Sequence, residues 1–152
     1  MEVLVQTINQ IIKYGLHPCL NEIDNDKNLE KNLVKIYAIY FDITYEFDNT
    51  NFSDFDKLQL PDVRQNVESN FKNLGFYKTS LNIHNIYNQN ENAIGDAIDD
   101  ITDIIIDLLE VKWRIENNSL ADGLWFFEFI FQAHTQQHLL NLLNYMKQRN
   151  NY

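Results

Sequence analysis

"GDAIDDITDIIIDL" (95–108) sets five aspartates among isoleucines and leucine. At about 100° per residue, Asp96, Asp99, Asp100, Asp103 and Asp107 fall within about 100° of arc, and Ile94, Ile98, Ile101, Ile105 and Leu108 take the opposite side. The pattern predicts a two-faced helix beginning near Ala93 and running toward Lys112 and Arg114, with acids leading and bases trailing, as the helix dipole favours. Asp96 with Asp100, Asp99 with Asp103, and Asp103 with Asp107 are like-charge pairs four apart, each costing about 0.2–0.5 kcal/mol. A folded protein tolerates such a cost, so the stripe does not demand a ligand. It faces either water and a partner, or a second set of polar groups across a cleft; spacing leaves both open.

A second stretch bears on that choice. "LWFFEFIFQAHTQQHLLNLLNYM" (124–146) is apolar on nearly every side for its first two turns, as expected of a central helix buried among several neighbours, and "ENNSLADG" (116–123) separates it from the acidic helix. Three polar residues in it need explaining: Glu128, His134 and His138. The two histidines are four apart, so their rings project from one face at the spacing that helical metal sites use. A carboxylate of the acidic stripe would complete a shell, oxygen ligands suiting Mg²⁺ or Mn²⁺ and paired imidazoles suiting Zn²⁺ or Fe. H-x-x-x-H without an intervening Glu lacks the general base of zinc proteases, and no calcium-loop spacing is present. Core histidines more often donate to carboxylates or carbonyls, with Glu128 or an aspartate of the acidic helix as partner.

The remaining helices are read from their punctuation. Val5, Ile8, Ile11 and Ile12 predict a first helix stopping at Gly15, with Pro18 beyond. A polar turn, "NEIDNDKN" (21–28), leads to a second helix through Leu29, Leu33, Ile36, Tyr37, Tyr40, Phe41, Thr44 and Phe47, although its β-branched and aromatic residues would also suit a strand. After a loop over 48–59, Pro61 takes a first-turn position in a third helix through Val63, Val67, Phe71 and Leu74, capped at Gly75. The Asn-rich segment that follows, up to residue 92, has no strong periodicity and reads as a long connection.

Composition agrees with helices. The chain has 152 residues, 45% of them hydrophobic and 13% aromatic, with only four Gly and two Pro, few for a turn-rich β-sandwich. Its net charge of −10 disfavours nucleic acid, whose binders carry basic patches, and is compatible with a basic protein partner or a cation. The single cysteine, Cys19, forms no internal disulfide and reads as a small buried hydrophobe, not a nucleophile. There is no signal-peptide pattern and no run of about eighteen apolar residues, so a cytoplasmic protein with no membrane span is expected. Phosphate-loop, dinucleotide and nucleophile-elbow motifs are absent, and Trp113 and Trp125 read as core or groove aromatics.

"IGDAIDDITDIIIDLL" (94–109) and "LWFFEFIFQAHTQQHLLNLL" (124–143) together resemble a bacterial domain of unknown function, family number 5063, over roughly residues 76–146. The likeness runs through Asp99, Asp100, Asp103 and Asp107, then Trp125, Phe127, Phe131, His134 and His138. It departs at Thr135 and Gln136, where the family carries Trp-Gly, and at Ile105 or Ile106, where it carries Tyr. The resemblance implies an all-helical domain without an established activity.

The expectation is an all-α, compact single-domain helical bundle of about five or six helices spanning 1–152. Its expected role is non-enzymatic protein–protein interaction, by self-association or with a basic partner; an immunity protein blocking a basic nuclease is the sharpest form, and no cofactor is expected. The alternative is a metal-dependent enzyme in which the aspartates and the two histidines hold a divalent metal.

Overall fold

The computed structural model describes residues 1–20, 23–87 and 92–149. Six α-helical segments and one β-hairpin make it up: α1 (Glu2–Leu16), α2 (Asn25–Tyr40), α3 (Val63–Asn70), β1 (Phe76–Ser80), β2 (Asn92–Asp96), α4 (Ala97–Asn117), α5 (Leu120–Ile130) and α6 (Gln136–Arg149). A short 3₁₀ turn (Lys57–Gln59) precedes α3, and a π turn (Phe131–Thr135) joins α5 to α6 into one continuous rod. The chain is therefore mainly helical but not purely all-α.

The hairpin corrects the long irregular connection expected from 76 to 92. β1 and β2 pair antiparallel, Phe76 opposite Asp96 and Tyr77 opposite Gly95. A strand shows only alternation, and five residues of it in an Asn-rich segment give little signal. Tyr77 and Thr79 point inward while Phe76, Lys78 and Ser80 point out. Tyr77 lies across Gly95, where an added Cβ would come within 2.3 Å of the ring. Because 92–96 are strand, the acidic helix begins at Ala97 and not near Ala93, and Ile94 leaves its apolar face for solvent. Parts of the expected polar turn (21, 22) and of the connection (88–91) lie outside the described residues.

Other boundaries shift for identifiable reasons. Gly15 does not stop α1; it sits inside the last turn, where a Cβ would meet Ile105 and Val63 side chains at 2.7 Å, so it serves close packing. The helix ends one residue later because α3 satisfies its free carbonyls: Asn66 Nδ2 donates to Gly15 O at 2.7 Å, and Asn70 Nδ2 donates to Tyr14 O and His17 O. Cys19 is exposed rather than buried and takes a left-handed conformation, φ 50°. α2 stops at Tyr40, short of Thr44 and Phe47. Beyond it the chain runs without regular structure as a strap over α5 and the end of α4, with Phe47 edge-on to Trp125, Asp48 accepting from Ser119 Oγ at 2.7 Å and Phe55 against Trp113. α3 starts after its cap Asp62, so Pro61 precedes the helix, and it ends at Asn70 before reaching Gly75.

α4 is the central helix, not the rod that follows it: it packs against α1, α3, α5 and α6. Ile101, Ile104, Ile105, Leu108 and Val111 are buried, and each such side chain contributes about 1.5–3 kcal/mol. Only Asn118 and Ser119 separate α4 from α5, in place of the eight-residue break expected. Ser119 caps α5 through Asp122 N–H, and Gly123 lets the two helices close. On the far side Phe127 and Phe131 complete the core, Phe131 stacking on Tyr40 at 4.6 Å.

Candidate metal centre

The aspartate stripe has a gradient of environments. Asp96 is the α4 cap, accepting from Ile98 N–H at 3.0 Å, and pairs with Arg64 Nη2 at 2.8 Å. Asp99, exposed, takes Arg64 Nη1 at 2.8 Å. Asp100 and Asp107 are buried, and Asp103 sits half-exposed between them. Within α4 this order follows the wheel: Asp99, at one edge of the stripe, meets α3 and solvent, and Asp107 and Asp100, at the other, meet the histidines, while Asp96, the cap, reaches Arg64 from outside the helix.

There the histidines are waiting. His134 Nδ1 lies 2.8 Å from Asp107 Oδ2, and His138 Nδ1 lies 2.7 Å from Asp100 Oδ1. Thr135 Oγ1 donates to the same Asp107 oxygen at 2.7 Å, and the Tyr77 hydroxyl donates to the other oxygen of Asp100. The π turn makes the Asp107 arrangement feasible. In an α-helix adjacent residues diverge by about 100°, whereas the wider turn brings His134 and Thr135 closer in direction, so both reach one carboxylate.

A carboxylate accepts only, so each Nδ1 is the donor, and in a neutral ring the Nε2 presents its lone pair. The two Nε2 atoms face each other at 3.2 Å, and Asp103 Oδ2 lies 3.6 Å from His138 Nε2. Two lone pairs so placed repel unless a proton or a metal cation sits between them. The protein holds the His138 imidazole above its ordinary value, first through the hydrogen bond to Asp100 and then through the charges of Asp100, Asp103 and Asp107. Burial first of all raises Asp103, and Tyr77 is raised by burial and then by Asp100.

The same atoms suit a metal. With metal–nitrogen distances of about 2.0–2.1 Å, a 3.2 Å separation subtends roughly 100°, close to the tetrahedral angle. One ligand atom from each of Asp103, His134 and His138 lies within 4.8 Å of the others, and the half-exposed Asp103 can swing to close the remaining gap. Asp100 and Asp107 would be the groups that orient the rings, the arrangement in which metal-ligating histidines are ordinarily held.

Of the expected site residues, Asp100, Asp103, Asp107, His134 and His138 come together. Asp96 and Asp99 belong to the α3 ion pairs. Glu128 is not a histidine partner: it faces the strap, where its carboxylate beside Tyr45 raises that phenol. Tyr77, Thr135 and Arg64 were not legible as site residues, since their roles depend on the hairpin, the π turn and the α3 docking. Comparison with known protein families, curated proteins and solved structures finds no match to this chain.

Proposed function

We propose that this protein binds a divalent transition metal of the Zn²⁺ class through His134 Nε2, His138 Nε2 and the Asp103 carboxylate. The carrying observation is that the two Nε2 atoms converge at 3.2 Å while separate buried carboxylates lock both Nδ1 positions. Imidazole donors favour Zn²⁺, Co²⁺ or Ni²⁺ over Mg²⁺ and Ca²⁺, which want oxygen shells. Three protein ligands would leave a four-coordinate ion one position for water or an outside group, and with the His134 side chain 42% exposed the site is open to solvent. A bound ion there would polarise such a group; the chain's own residues orient the imidazoles and supply the negative field. The likeness to the family of unknown function is also a proposal, resting on the same Asp and His positions.

Binding is tested by elemental analysis, by thermal melting with each metal and with EDTA, and by the visible spectrum of the Co²⁺ form. At a hundred times its dissociation constant a native-state ligand adds about 2.7 kcal/mol, roughly 5–10 °C in Tm. His134→Ala and His138→Ala should abolish the shift and Asp103→Asn should weaken it. Identical melting of the wild type with and without Zn²⁺, Co²⁺ and Ni²⁺ would sink the proposal.

A further inference from the structure

The strap between α2 and α3 closes a second site, remote in chemistry from the histidines. Crossing α5, it forms a cavity of about 250 Å³ walled by the rings of Phe47, Phe52 and Trp125 and by Asp48, Asp54 and Asp122. Arg114 also lines it, but its guanidinium is already committed, to Glu110 at 2.8 Å and to Asp122 at 3.2 Å. Three carboxylates against one guanidinium leave the lining with a net charge of −2. Trp125 is the anchored wall: it stacks on Phe129 at 5.8 Å and meets Phe47 edge-on at 6.2 Å.

Aromatic faces and carboxylates together select one kind of guest. A hard metal ion would keep its water and gain nothing from the rings, and an anion would be repelled. A neutral apolar group would make no use of the net negative charge, to which Asp54 contributes a carboxylate beyond those of Asp122, paired with Arg114, and Asp48, bonded by Ser119 and Thr50. An alkylammonium satisfies both, its charge within about 6 Å of ring centroids and its methyl or methylene groups against them. The cavity lies below the roughly 300 Å³ at which drug-sized ligand sites begin, so it suits a single side chain or a very small molecule. The overall charge of −10 draws cations toward it.

We propose that this cavity is a binding site for an organic ammonium group, such as a lysine side chain, methylated or not, or a free small quaternary amine. The probes are choline, Nα-acetyl-lysine amide, a lysine-containing peptide, and 3,3-dimethylbutanol, which has the shape of choline without its charge. The readout is the indole N–H resonance of Trp125, assigned by its loss in Trp125→Phe. Choline and the lysine amide should shift it saturably, with dissociation constants in the millimolar range, and the neutral isostere should bind about tenfold more weakly or less. Asp54→Asn, at an exposed position where folding is not at risk, should weaken the cations several-fold and leave the isostere unchanged. Tighter binding of the peptide than of choline would assign the site to a protein partner, and the reverse to a small molecule. Equal binding of choline and the isostere, or no saturable shift by any cation in the folded wild type, would overturn the proposal.

Discussion

Replacing Asp100 by asparagine separates a stripe that merely faces solvent from one that holds the histidines. The Asp100 carboxylate is 5% exposed and accepts two hydrogen bonds, from His138 Nδ1 at 2.7 Å and from the Tyr77 hydroxyl. An amide offers one oxygen, so its NH₂ group must face one of two donors. The loss of a charge-assisted bond is about 1.5–3 kcal/mol, and a buried donor left unpaired costs about 1–3 kcal/mol. Allowing for partial relaxation, Asp100→Asn should destabilise the metal-free protein by about 2–4 kcal/mol, lowering Tm by roughly 5–15 °C. Asp99→Asn, one residue away on an exposed ion pair with Arg64, should cost only about 0–1 kcal/mol. If metal binds as proposed, Asp100→Asn should also weaken it about 10- to 100-fold without removing a ligand. Paired calorimetric melts and metal titrations of the two variants decide the matter. Equal Tm for Asp100→Asn and Asp99→Asn would refute the reasoning, because the buried network would then carry no more energy than a surface pair.

Two further outcomes follow from the geometry. His138 is held above its ordinary 6.5, so the folded state binds its proton more tightly than the unfolded chain; that stability is fully present below pH 6.5 and is lost as pH rises through the folded value. Melting of the metal-free protein across this window should show a decline that His138→Gln removes, and a flat difference between the two proteins would contradict it. Gly123→Ala would place a Cβ 2.3 Å from Ile115 Cγ1 and 2.9 Å from Ile115 N, so about 1–3 kcal/mol of overpacking should appear as a lowered Tm. Gly75→Ala, with nothing within 4 Å, should show no such loss.

The helices were legible where burial imposed a period. Ile98, Ile101, Ile105 and Leu108 mark the inner face of α4, and the i, i+4 spacing of His134 and His138 survives into the structure. What stayed hidden depends on partners distant in sequence. Phe41 and Phe47 follow helical spacing after Tyr40 yet remain 65% and 69% exposed, because the strap lies along α5 instead of continuing α2. Gly15 reads as a helix stop and Gly123 as the end of a break between helices, but each marks where another helix approaches too closely for a side chain. The site was half visible. Five of its members were named by residue type and spacing, whereas Tyr77 is recruited by a strand of five residues and Thr135 by a turn that no propensity announces.

The π turn also fixes the gearing of the long rod. Leu124 and Phe127 before it, Phe131 at its start, and Leu139, Leu142 and Met146 after it are all buried. On an unbroken wheel of about 100° per residue the second set runs roughly 60° ahead of the first, and the slower winding of the turn takes up that lead. Core and histidines are thus set by one phase adjustment. Deleting Gln132 or Ala133 would restore ordinary winding but set α6 back by about 100° against a lead of about 60°, so the buried leucines and the paired imidazoles would together turn about 40° from their present register against α4. Length changes in the hairpin connection impose no such rotation. The rod works as a keyed shaft, its single notch placed where the proposed ligands are cut.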